Sequence, residues 1–153
     1  MLRFEKGNII TGNYPIFCQQ VNCKGVMGAG LAKQIRKKYP EVYEKYMFEC
    51  SFEDVPKIGK CNYVPTKDRR ICINMFAQDG YGRDKKYTDY NAFKECLEHI
   101  AFFMKFHSKN KPSIAFPYGI GCGLAGGDWY IILGMLKDFA EKIPQDVIIV
   151  EKE

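Results

Sequence analysis

Only two histidines, His99 and His107, occur in the 153 residues, and none of the seven cysteines stands in a C-x-x-C pair. Cys18, Cys23, Cys50, Cys61, Cys72, Cys96 and Cys122 are scattered, and both imidazoles fall in or near one helical stretch. The spacing of a zinc site is therefore missing, and no metal or cofactor is expected. An odd thiol count argues against a disulfide framework and for free thiols in a reducing compartment. No apolar run approaches the ~18 residues of a membrane span. The opening Met-Leu-Arg-Phe-Glu-Lys puts charge where a secretory signal needs apolar residues, so a cytoplasmic address is expected. There is no internal repeat, no low-complexity segment and no linker rich in Ser, Gly or Pro. One domain over residues 1–153 is the expectation at this length. The oligomeric state is left open, with a monomer expected. Charge of one sign is only mildly in excess: 23 Lys and Arg against 18 Asp and Glu give +5. That suits an anionic ligand such as a phosphate ester or nucleic acid without singling one out.

Strand-like and helix-like stretches alternate along the chain. Residues 2–10 and 16–21 read as strands, broken at Gly-Asn-Tyr-Pro. A helix is expected over 28–48, with Leu31, Ile35, Tyr39, Val42 and Tyr46 on one face, and Pro40 must bend or split it. The runs 59–65 and 71–76 are β-rich and separated by a charged turn, which predicts an antiparallel hairpin. A loop over 77–87 leads to Thr88 or Asp89 as cap of a helix whose core face is Phe93, Cys96, Leu97, Ile100 and Met104. Residues 113–116 are expected to form a short apolar strand. Asp128 is the expected cap of a third helix that buries Trp129, Ile132, Leu133, Leu136 and Phe139. The run 147–150 is continuously apolar, the mark of a strand covered on both faces. Together these predict an α/β fold: a three-layer α/β/α sandwich around a mixed sheet.

Two glycine-rich segments concentrate the chemistry. Residues 21–31 read Val-Asn-Cys-Lys-Gly-Val-Met-Gly-Ala-Gly-Leu, and residues 117–129 read Pro-Tyr-Gly-Ile-Gly-Cys-Gly-Leu-Ala-Gly-Gly-Asp-Trp. Each follows an expected strand and precedes an expected helix. Glycine lets such a backbone approach a ligand closely, and the helix start offers unpaired N–H groups and partial positive charge. One such loop is often only a tight turn; two on one sheet edge suit a diphosphate. Gly121, Gly123 and Gly126 also match G-x-G-x-x-G, with Glu151 as a ribose-binding acid after the next strand. A single further strand follows in this sequence, so no second mononucleotide-binding half can be built after the fingerprint. The first segment lacks the Gly-Lys-Ser/Thr ending of a P-loop.

Asn22-x-x-Gly25-x-Met27-Gly-x-Gly30-Leu-Ala, followed about ninety residues later by Ile120-Gly-Cys-Gly-Leu-Ala-Gly-Gly-Asp-Trp129, resembles the macro domain over nearly the whole chain. The resemblance is closest to the branch with ADP-ribose 1″-phosphate phosphatases and terminal or DNA ADP-ribose glycohydrolases. It implies a mixed, about six-stranded sheet and a cleft for ADP-ribose, free or carried on protein or nucleic acid. By motif, Asn22 would face the distal ribose. Gly28, Ala29, Gly30 and Leu31 would line one side of the diphosphate, and Ile120, Gly121, Cys122, Gly123 and Leu124 the other. Asn8, with Ile9 beside it, stands where the family usually has an aspartate that receives the adenine amino group. Asparagine accepts there through its oxygen, without charge.

Some relatives in the glycohydrolase branch use a lysine after the fourth strand; Gln78 occupies that place here. They also use an aspartate just after Gly-Cys-Gly-Leu; here Ala125 follows and the acid arrives at Asp128. A Schiff-base route through the lysine is therefore unsupported, and hydrolysis by positioned water remains. Asn22 would hold ribose hydroxyls and Asp128 would orient or deprotonate water, against the plainer role of Asp128 as an N-cap. The alternative is a non-catalytic ADP-ribose reader. Cys23 and Cys122 lack a histidine neighbour and read as packing residues, not nucleophiles. Lys85 and Lys86 read as solvated. Tyr81, Arg83 and Tyr87 can reach over a nucleotide or simply belong to a surface loop. Lys33, Arg36 and Lys37 form a basic stripe that is either a solvated face or a nucleic-acid contact.

Overall fold

The computed structural model describes residues 1–82 and 84–153, so the reading of Arg83 lies outside the described residues. In chain order the elements are β1 (Leu2–Gly7), β2 (Ile16–Asn22), α1 (Gly30–Lys38), α2 (Pro40–Cys50), β3 (Cys61–Pro65), β4 (Ile71–Gln78), α3 (Tyr90–Lys105), β5 (Ile114–Pro117), α4 (Trp129–Glu141) and β6 (Val147–Lys152). The sheet has six strands in the order β1-β6-β5-β2-β4-β3. Neighbours run parallel except β3, which is antiparallel to β4. The expected hairpin closes through a turn in which Thr66 N–H donates to Arg70 O and Arg70 N–H donates to Thr66 Oγ1. The β2–β4 ladder slips between Val21 and Asn22, pairing Asn22 with Gln78.

Alternating strand residues divide into two buried layers, as a sheet covered on both faces requires. Ile16, Cys18, Ile73, Met75, Ile114, Phe116, Val147 and Ile149 pack with α3 and α4 through Phe93, Ile100, Met104, Ile132 and Leu136. Phe17, Cys72, Ala115 and Ile148 pack with Ile35 of α1, Val42 of α2 and Tyr39 between the two helices. Val21 and Phe76 extend that second layer against Tyr46, whose ring stacks on Phe76 at 5.7 Å. The α/β/α sandwich is thus as expected, and the apolar run of β6 is buried on both faces between β1 and β5.

Several boundaries differ from expectation for local reasons. β1 stops at Gly7, not residue 10, because Asn8 Oδ1 accepts the N–H groups of Ile10 and Thr11 and turns the chain. The expected helix over 28–48 is two helices: α1 begins at Gly30, and Pro40 opens α2 from its first turn, where a missing N–H costs nothing. Asp89, not Thr88, caps α3, accepting Ala92 N–H at 3.0 Å. Trp129 and Leu133 are half-buried, not core. The seven cysteines are free thiols. Among the described residues, no helix is long and apolar enough to cross a membrane, and no cluster of three His, Cys, Asp or Glu could hold a metal ion.

Candidate functional site

Because β1, β6, β5, β2 and β4 run parallel, their carboxyl ends share one rim. The two glycine segments leave from β2 and β5, which are direct neighbours. Sequence reasoning required them on one side of the molecule, and the topology puts them there. Ligands of open α/β sheets favour this rim.

The first segment is shaped by Asn22, a buried side chain. Its Oδ1 accepts Lys24 N–H at 2.9 Å and Val26 N–H at 3.3 Å, and its Nδ2 donates to Val26 O at 2.7 Å. The hydroxyl of Tyr46 lies 2.7 Å from both Oδ1 and the main-chain oxygen of Asn22, and it accepts Gly25 N–H at 3.1 Å. Asn22 thus spends most of its hydrogen-bonding capacity on its own loop, leaving one amide hydrogen for a ligand. Beyond it the backbone opens. Gly30 has φ 57°, and a Cβ at residue 28 or 30 would meet nothing within 4 Å, so neither glycine is demanded by internal packing. Ala29 sits at the N-cap of α1 without a capping side chain, and the first turn holds no acid. Among the described residues, the amides of residues 28–32 find no acceptor. This is a bare helix start, which favours an anion.

The second segment is folded inward by its carbonyls. Gly121 O accepts Thr88 Oγ1–H at 2.5 Å and Gly127 N–H at 2.8 Å. Ala125 O accepts Tyr87 N–H at 2.8 Å and Thr88 N–H at 3.2 Å. Gly119, Gly121 and Gly126 each have φ 76°, a left-handed conformation that favours glycine. With the carbonyls committed inside, the amides of residues 123–125 find no acceptor among the described residues. Successive free amides of this kind make an anion-binding concavity. Ile120 is buried beneath the loop, Cys122 is half-buried, and Gly123 and Leu124 are exposed.

Other expected site residues are found in these places. Asn8 lies at the carboxyl end of β1, but its Oδ1 already accepts two main-chain N–H groups, at 2.9 and 3.2 Å. Its amide hydrogens, not its oxygen, are therefore what it offers a base. Ile9 is buried, and its carbonyl is held by Arg70 Nη2 at 2.6 Å. Asp128 is the cap of α4: Oδ1 accepts Tyr130 N–H at 2.9 Å, and its own N–H donates to the Tyr90 hydroxyl at 2.9 Å. Gln78, in the lysine's place, donates from Nε2 to Gly80 O and accepts Gln20 Nε2–H. Burial, with Asp79 adding to it, pushes the Cys23 thiol up to about 11. Burial, with Asp128 adding to it, does the same for Cys122. Neither is a ready nucleophile. Lys85 and Lys86 lie over the rings of Tyr87 and Tyr90 at 5.1 and 4.4 Å.

Sequence reasoning missed Gln20, Tyr46 and Thr88 as site-building residues. Gln20 carried a signal, since an amide in a β-run that is otherwise mostly apolar needs a partner. For Thr88 the sequence signals only a helix start.

Residues 18–135 match the macro domain family. The chain belongs to that family. This macro domain is 30% identical to an uncharacterised 17.5 kDa protein of Enterobacteria phage T4, covering 100% of the chain and 97% of the phage protein. It is 35% identical to the DNA ADP-ribosyl glycohydrolase of Mycobacterium tuberculosis over 94% of the chain, but spans only 40% of that protein's length. It is 24% identical to the ADP-ribose 1″-phosphate phosphatase of Saccharomyces cerevisiae, covering 91% and 93% of the two chains. The macrodomain of Mycobacterium tuberculosis DarG has the same fold, with a TM-score of 0.84 at 24% identity over 99% and 97% of the chains.

Proposed function

We propose that this macro domain binds ADP-ribose in the groove between its two glycine segments and hydrolyses an ADP-ribose derivative. The observation that carries the reading is the pair of uncommitted amide rows, residues 28–32 at a bare helix start and residues 123–125 in a loop with inward carbonyls, on one rim. A diphosphate satisfies both rows at once. The names of the mycobacterial and yeast relatives support the hydrolase side of the reading.

In the glycohydrolase version, water adds through its oxygen to the anomeric carbon of the distal ribose. The bond to the acceptor breaks, and the acceptor leaves with a proton. Such departures pass through an oxocarbenium-like state, which nearby phosphate and amide dipoles stabilise. Asn22 offers its remaining amide hydrogen to the ribose. Asp128 offers its second carboxylate oxygen to water, the first being held by the cap. The substrate is ADP-ribose on nucleic acid or protein, or ADP-ribose 1″-phosphate. Engagement of both Asn22 and Asp128 in local turns favours, as second reading, a module that binds without turnover.

Turnover assays with ADP-ribosylated DNA, ADP-ribosylated protein and ADP-ribose 1″-phosphate separate these readings, with calorimetric titration of ADP-ribose against ATP and NAD as the binding control. Asp128→Asn is the informative variant, because asparagine caps a helix about as well as aspartate. A large loss of turnover with unchanged melting assigns the carboxylate to chemistry. Full turnover removes Asp128 from the reaction.

A further inference from the structure

Five polar groups under the second glycine segment form a chain of hydrogen bonds whose directions are all forced. Its ends are the carbonyls of Gly121 and Gly80, which can only accept. Thr88 Oγ1–H donates to Gly121 O at 2.5 Å, so Thr88 must itself accept from Gln20 Nε2, at 2.9 Å. The other Nε2 hydrogen of Gln20 goes to Gln78 Oε1 at 2.7 Å, which turns Gln78 Nε2 to Gly80 O at 2.9 Å. The chain ties β2, β4, the residue before the α3 cap and the glycine segment to one another.

Three further observations show what the chain is built around. Among the described residues, Gln20 Oε1 is buried without a partner. An amide kept at that cost is kept for its two donors. The same oxygen would stand 2.7 Å from a Cβ at residue 121, so glycine there meets a steric demand as well as its φ of 76°. Thr88 is buried and works twice: its hydroxyl holds Gly121 O while its main-chain N–H approaches Ala125 O. Those two carbonyls bracket the free amides of residues 123–125. With both carbonyls drawn inward, the amides between them have no acceptor among the described residues and are free to meet an anion.

We infer that Thr88, aimed by Gln20, is the positioning residue that sets the second glycine segment in its anion-gripping shape. The inference deepens the ADP-ribose reading and rests on it for the choice of ligand. Thr88 touches no ligand itself; it acts through Gly121.

The test titrates ADP-ribose calorimetrically into native protein, Thr88→Val, Thr88→Ser, Gln20→Met and Gln20→Glu, and follows amide hydrogen exchange over residues 119–127 without ligand. Thr88→Val keeps the shape and removes the hydroxyl; about tenfold weaker binding is expected, the scale of one hydrogen bond. Thr88→Ser restores affinity to within about threefold, since it restores the donor. Gln20→Glu puts an acceptor where a donor is needed and is expected to be at least as weak as Thr88→Val. Faster exchange at Gly127, whose N–H rests on Gly121 O, accompanies the loss. Native affinity and native exchange in Thr88→Val overturn the inference, as does a serine variant as weak as the valine one. If Thr88→Val does not fold, Gln20→Met decides in its place by the same two measurements. If the native protein binds no ADP-ribose, the ligand reading fails, and exchange at Gly127 still decides the role of Thr88.

Discussion

Burial at Cys23 and Cys122 disarms thiols that stand in the two glycine segments. With both raised to about 11, the reactive thiolate is a minute fraction near neutral pH. Iodoacetamide should label them far more slowly than a free thiol at pH 7.5. The rate should rise about tenfold per pH unit up to about pH 10. Fast labelling at neutral pH, located by mass spectrometry, contradicts the burial. Arg70 illustrates the opposite case, a charge taken inside with no directly bonded carboxylate among the described residues. Its guanidinium donates to the carbonyls of Ile9 at 2.6 Å, Ile10 at 2.6 Å and Tyr14 at 2.8 Å, and lies 4.0 Å from the centre of the Phe17 ring. Arg70→Met leaves those carbonyls unpaired and should cost about 3 kcal/mol, read as a melting point lower by roughly 10 °C. Arg70→Lys should recover little, because an ammonium lacks the planar fork that reaches three carbonyls.

Among the helices, α1 differs from α3 and α4 in how it begins. Asp89 and Asp128 cap the latter two through their side chains; Ala29 caps nothing. Ala29→Asp should therefore do two opposed things. A new N-cap stabilises α1 by about 0.5–1 kcal/mol. The same carboxylate occupies and repels at the bare amides, and should weaken ADP-ribose binding at least tenfold. Calorimetry in its scanning and titrating forms reads both; tighter binding with higher stability would dismiss α1 as an anion site. The contrast also shows what was legible beforehand. The cap at residue 128, a cap at 88 or 89, and the glycine segments are local patterns, so the sequence carried them. The hairpin turn and the apolar run of β6 were legible for the same reason. The early stop of β1 was not, because it depends on Asn8 folding back onto Ile10 and Thr11. Nor was the division of labour at Asn22, since Tyr46 is twenty-four positions away in sequence and reaches it only through the packing of α2 on β2.

For the whole molecule, a ligand that binds only the folded chain raises its stability by mass action. ADP-ribose at a hundred times its dissociation constant should add about 2.7 kcal/mol, a rise in melting temperature of several degrees. ATP and NAD at the same concentration should add less, and equal shifts from all three would deny the groove its selectivity. Surface ion pairs near the β1–β6 edge, such as Arg3 with Asp146 at 2.8 Å, are exposed and contribute little by comparison.

The slipped register at the end of β2 has a mechanical meaning. Gln20 and Asn22 share parity, and on an unbroken ladder both would lean toward one layer. Instead Gln20 works under Thr88 on the α3 side, and Asn22 works against Tyr46 on the α2 side. Three consecutive positions therefore act as a gatepost carrying a leaf on each flank. Fraying at the end of β2 should therefore loosen both glycine segments together.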